Sequence, residues 1–237
     1  MASMKCFSIW LSVSAVVAPG VFAQEFINLD FESANVPHLS PEEWGGDYVP
    51  IGDAVPGWTG AIDGVQVTQV LNNNGTQGGP SLSIWGQRAT LVGGVLQGSQ
   101  TVILSAGFGD DFGHTTSLSQ TGLIPLSARS LLFKAAPYDQ ATPGPADGLF
   151  SVFMGGRSVD YYPLSIGANY TLYGATIPAE FPGTVQSLMF TDASFPDTWH
   201  YEKLDDIQFT ADPIPEPSLM SFVALSVALT ISRSKRA

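Results

Sequence analysis

Ser130-Leu131-Leu132-Phe133-Lys134-Ala135 sets Leu131, Phe133 and Ala135 on one side of an extended chain, and Ser130 with Lys134 on the other. That two-residue period belongs to a strand with one buried face. Further along, 185–191 sets Leu188 and Phe190 opposite Val185 and Met189. The stretch 203–209 places Asp205, Ile207 and Phe209 on a single face. Short apolar or alternating runs bounded by Gly, Pro, Asn and Asp predict further strands at 26–31, 65–70, 81–85, 89–96, 100–105, 116–120, 149–154, 158–162 and 170–177. No segment of 24–212 keeps a helical period for about 11 residues. Turns recur every ~8–12 residues, which favours a sandwich or barrel over βαβ units. The expectation is all-β: one antiparallel β-sandwich of jelly-roll type over residues 24–212.

Composition agrees with that expectation. The chain has 237 residues, 44% of them hydrophobic and 13% charged, with 25 Gly and 17 Pro. A disordered chain would carry less apolar and more charged residue. The net charge is −12, and residues 24–213 hold only five cations: Arg88, Arg129, Lys134, Arg157 and Lys203. A surface this acidic repels phosphate backbones, so nucleic acid is not an expected partner. Cys6 is the only cysteine, near the amino terminus. The body then has no disulfide, thiol nucleophile or cysteine metal site, and relies on core burial, for which about 190 residues suffice.

Both ends read as targeting segments. Lys5, an apolar run over 6–18, Pro19-Gly20 and Val21-Phe22-Ala23 form a secretory leader, with signal-peptidase cleavage expected after Ala23. At the other end Pro213, Pro215 and Pro217 impose an extended segment. An uncharged apolar run follows over 218–232, then Arg233-Ser234-Lys235-Arg236. As a helix that run spans ~22 Å, short of a ~30 Å hydrocarbon core, and the terminal cations would stay cytoplasmic.

Pro215-Glu216-Pro217, the apolar run and the basic end resemble the PEP-CTERM sorting signal of Gram-negative bacteria, over residues 213–237. Ser221 and Ser226 interrupt the apolar part, a departure from an uninterrupted helix. The resemblance implies recognition by an exosortase and processing near Pro215, Glu216 and Pro217. It also implies a precursor tethered to the inner membrane by its C-terminal helix, then delivery to the cell surface or extracellular matrix. The ends of the body, Asn28-Leu29-Asp30-Phe31-Glu32 with Gly57-Trp58 and Leu204-Asp205-Asp206-Ile207-Gln208-Phe209, resemble the first and last strands of galactose-binding-like domains. That group includes many carbohydrate-binding modules. In it, first- and last-strand carboxylates often hold a structural Ca²⁺, which implies Glu32 and Asp206 or Asp205 as its ligands here.

Other chemistry is poorly served. Gly107-Phe108-Gly109-Asp110-Asp111-Phe112 is a single glycine–aspartate unit, read as a loop because Ca²⁺-binding β-rolls need tandem copies. There is no Gly-x-Ser-x-Gly elbow, and His38, His114 and His200 lack zincin spacing. Neighbouring acids such as Asp205-Asp206 point to opposite sides of a strand, so no such pair forms a glycosidase dyad by itself. Aromatic rings can stack on sugars or fill a core. Trp44 and Trp199, in loop-like contexts, are the candidate ligand-binding residues, ahead of Trp58, Trp85, Tyr161, Tyr162 and Tyr201. The leading expectation is a non-enzymatic envelope or matrix protein adhering to exopolysaccharide. A carbohydrate-binding module with a structural calcium comes second, and a hydrolase third.

Overall fold

The computed structural model of the chain describes residues 24–37, 47–74, 79–86, 93–107, 113–137, 150–193 and 200–214. The expected leader with Ala23, Trp44, Trp199 and the sorting tail from Pro215-Glu216-Pro217 onward lie outside those residues. Among the described residues the chain runs β1 (Tyr48–Pro50), α1 (Ile51–Ala54), β2 (Thr59–Ile62), β3 (Val65–Gln66), β4 (Gln69–Asn72), β5 (Ser81–Gly86), β6 (Gln100–Gly107) and β7 (Thr115–Leu123). It continues as β8 (Ser130–Pro137), β9 (Ser151–Met154), β10 (Arg157–Ser158), β11 (Tyr161–Ile166), β12 (Thr171–Thr176), β13 (Val185–Ala193) and β14 (His200–Thr210).

These strands form two sheets. One has eight strands in the order β1-β4-β5-β6-β14-β8-β12-β11, the other six in the order β10-β9-β13-β7-β2-β3. Pairing is antiparallel except between β4 and β5. The path crosses between sheets at β1–β2, β3–β4, β6–β7, β7–β8, β8–β9, β10–β11, β12–β13 and β13–β14, the alternation of a jelly roll. The fold is an antiparallel-rich β-sandwich.

The alternation read from sequence supplies the core. Leu131, Phe133 and Ala135 on β8 and Leu188 and Phe190 on β13 are fully buried between the sheets. Phe133 is their hub, with ring centroids 5.2 Å from Tyr161, 5.5 Å from Tyr173 and 5.2 Å from Phe190. Trp58 joins the core against Phe31 at 5.6 Å.

Several expected strands are not formed as read. The stretch 26–31 is irregular, because Asn28 and Phe31 adopt φ of 50° and 58°, and the Asn28 side chain accepts the Ser33 N–H at 2.9 Å. That turn drives Phe31 into the core at the cost of alternation. The described part of 89–96 is turn and coil. The expected strands 65–70 and 158–162 each divide into two short ones, while β1 and β2 were not foreseen.

A β-bulge produces the most consequential difference. Asp205 pairs with Lys134 but Gln208 with Leu132, so β14 holds one extra residue, and Asp206 takes φ 46°. The bulge reverses the phase of the strand. Leu204, Ile207 and Phe209 turn to the core, and Asp205 turns to the outer face rather than sharing a side with Ile207.

The strand ends define two poles. Leu123 donates to the Gln24 carbonyl at 2.8 Å and Arg129 to that of Thr210 at 2.7 Å, and the Ser130 hydroxyl donates to the Asp212 carbonyl at 2.8 Å. The first and last described residues thus share one pole. Gly107, Thr115, Pro137, Ser151, Ala193 and His200 all stand at the other. The sheet margins are short or irregular: β1 has three residues, β3 and β10 two each, and β11 contains Pro163 and a register shift beside it.

Candidate functional site

Because the bulge turns Asp205 outward, its carboxylate meets the segment that precedes β6. Asp205 Oδ2 accepts the Gln97 N–H at 2.9 Å and the Thr101 hydroxyl at 2.7 Å, and Oδ1 accepts the Asp206 N–H at 2.7 Å. Thr101 Oγ1 in turn accepts the Leu96 N–H at 2.8 Å. Glu32 reaches the same segment from the other end of the chain, its Oε1 accepting the N–H groups of Ser99 at 2.8 Å and Gln100 at 3.0 Å. Between them Gly98 has φ +62°, and a Cβ there would stand 2.3 Å from Glu32 Oε1, so a side chain would strain the backbone and displace the Glu32 carboxylate.

Two more side chains hold this loop. Asn169 donates from Nδ2 to the carbonyls of Gly93 and Val95, both at 2.7 Å. Lys134, nearly buried, donates to Gln97 Oε1, pairs with Asp206 Oδ2 at 2.8 Å and sits 4.7 Å from the centre of the Tyr170 ring. The loop is thereby fastened over the outer face of the eight-stranded sheet, where Val95 packs on Trp85, Ile103 and Tyr201.

Electrostatics follow from burial. Asp205 has no solvent exposure, and desolvation pushes its carboxyl up to about 7, against the pull of Thr101, Gln97 and Asp206 and with a further push from the Glu32 charge. Glu32 and Asp205 thus hold the two ends of one short segment, 97–100. Asp206 does not join them, since its carboxylate faces Lys134 and Gln208. Two acids supply hard oxygen ligands of the kind Ca²⁺ selects, though those oxygens already receive N–H and O–H donors. Among the described residues no three His, Cys, Asp or Glu side chains gather closely enough to hold a metal.

The aromatic candidates divide. Trp58 fills the core and Trp85 and Tyr201 lie under Val95. Tyr161 points inward, exchanging hydrogen bonds with the backbone of Phe150 at 2.9 and 3.1 Å, and burial raises its hydroxyl pKa. Tyr162, on edge strand β11, is 41% exposed. It borders an open cleft of roughly 500 Å³ with Tyr161, Asp160, Ser151 and Ser158. At the far pole His114 Nδ1 meets Asp63 Oδ2 at 2.6 Å, a solvent-exposed pair. The bond to His114, then the Thr115 N–H, lowers the Asp63 pKa.

No family model matches the chain, and no curated protein does. Among solved structures it is similar to the K1 cleaved adhesin domain of Lys-gingipain from Porphyromonas gingivalis W83, with 15% identity, a TM-score of 0.35, and 70% of this chain and 95% of that one covered. It is also similar to a carbohydrate-binding module of the β-sandwich superfamily with promiscuous specificity, at 10% identity and a TM-score of 0.31, covering 71% and 87%. Similarity this distant assigns neither ligand nor activity.

Sequence reasoning singled out Glu32, Asp205 and Asp206 as calcium ligands through the strand-end resemblance, and the carboxylates that fasten the 97–100 segment are Glu32 and Asp205. It missed Asn169, Gln97 and Lys134 as fasteners, because a loop's partners on distant strands leave no periodic trace. Asp160 beside Tyr162 was equally invisible, since their cleft exists only where β9, β10 and β11 meet.

Proposed function

We propose that this is an exported envelope or matrix protein, a non-enzymatic sandwich module displayed from a membrane-sorted tail. The supporting observation is the shared pole of Gln24 and Asp212, which lets one end of the sandwich face a tether while six strand ends face away from it. The leader and the Pro215-Glu216-Pro217 tail supply the itinerary: signal peptidase after Ala23, then an exosortase acting near Glu216, with exopolysaccharide as the surrounding partner. Glu216→Gln is expected to arrest maturation in cells that process the native chain. Intact mass of the surface-extracted protein measures this, and an unchanged product mass in the variant removes the exosortase step.

A second reading, a carbohydrate-binding module with bound Ca²⁺, is favoured by the exposed Tyr162 ring over its cleft and by the meeting of Glu32 and Asp205 on one loop. The ion would join those two carboxylates and so brace the loop. On this reading saturating Ca²⁺ raises the melting temperature over EDTA, and Tyr162→Ala abolishes retention on whichever glycan the native chain binds. A Tm indifferent to Ca²⁺, with no retention on any arrayed polysaccharide, eliminates it.

A further inference from the structure

The pole that carries both chain ends also carries exposed apolar side chains. Leu126 is 83% exposed, whereas Ile124 two residues earlier is fully buried. The turn that presents Leu126 is closed by the Ala128 N–H donating to the Pro125 carbonyl at 2.9 Å. It is braced by Ile124 and Gly183, with the Ile124 N–H on the Thr184 carbonyl at 3.0 Å and the Gly183 N–H on that of Ile124 at 2.9 Å. Val185, where β13 starts beside Leu123, is 48% exposed. Leu126 and Arg129 line the same cleft as Pro213, the penultimate described residue.

The chain leaves this pole only a few residues before its apolar run. Ile214 is anchored over β12, its Cδ1 standing 2.5 Å from where a Cβ on Gly174 would be. The apolar run starts at Ser218. Four residue steps span at most about 14 Å even fully extended, so a tail seated in lipid brings the Leu126 turn to the bilayer surface.

We propose that the Leu126 turn, with Val185 beside it, is a membrane-contact surface that rests on the lipid from which the chain is tethered; this depends on the tail-insertion reading above. The partner is a zwitterionic bilayer surface. The acidic body repels anionic headgroups, while an exposed leucine on a braced turn gains by entering the interfacial layer.

The test uses the full chain in a Cys6→Ser background, because Cys6 is the only cysteine. Leu126→Cys and Val65→Cys each take one environment-sensitive fluorophore. Val65 is 70% exposed and lies at the opposite pole, beside Thr116 across β2, so it is the control. In phosphatidylcholine vesicles we expect a several-fold emission rise at 126, quenched by brominated acyl chains, and no change at 65. Vesicle-bound chain whose label at 126 is as unresponsive as that at 65 overturns the contact while leaving tethering intact. Chain that fails to float with vesicles overturns the tether, and the contact with it.

Discussion

Asp205→Ala should lower stability by about 3 kcal/mol at mildly acidic pH and release residues 93–100 from the sheet. The carboxyl receives Gln97, Thr101 and Asp206 in a fully buried position, and its removal strands those donors away from water. Chemical denaturation gives the first number, and amide exchange at Gln97 the second. The sign with pH is distinctive. A carboxyl raised from an ordinary 3.8 to about 7 contributes stability that is complete below about 4 and lost as pH climbs through 7. The Glu32 charge pushes the same way, while Lys134, opposite Asp205 on β8, is paired with Asp206. Native protein should therefore gain as much as roughly 4 kcal/mol from this group between pH 8 and pH 4. Asp205→Asn should flatten that slope. Parallel stability–pH curves for the two proteins would count against the assignment.

Phe133→Ala should be the costliest core substitution, at roughly 4 kcal/mol. Phe133 touches rings from three other strands, Tyr161, Tyr173 and Phe190, so a cavity there lies between both sheets and cannot collapse from one side. For a domain of this size that corresponds to a fall in Tm of about 8–16 °C. A calorimetric loss below about 1 kcal/mol would mean that the hub repacks. Met, which fills irregular gaps, should restore part of the deficit.

How far the fold was legible depended on how local its causes are. Strands β8 and β13 were readable because one face of each meets the core and alternation records it directly. The first segment was misread because Asn28 and Phe31 adopt left-handed backbone, which no hydrophobic pattern announces. Along β14 the identity of the strand was clear, yet one added residue at Asp206 inverted every face beyond it. The resemblance named Glu32 with Asp206 or Asp205 as ion ligands, whereas the N–H groups of a loop that Glu32 and Asp205 accept depend on a close approach between segments 67–68 residues apart in one case and 108 in the other.

The blunt margins of both sheets bear on life in a crowd. A long, flat, unpaired strand invites a neighbour to add its own backbone to the ladder. Here three margins are two or three residues long, and the fourth has lost an N–H at Pro163 and its regular register beside it. Among the described residues, neighbouring copies therefore meet little continuous backbone on which to extend either ladder, however closely they are crowded.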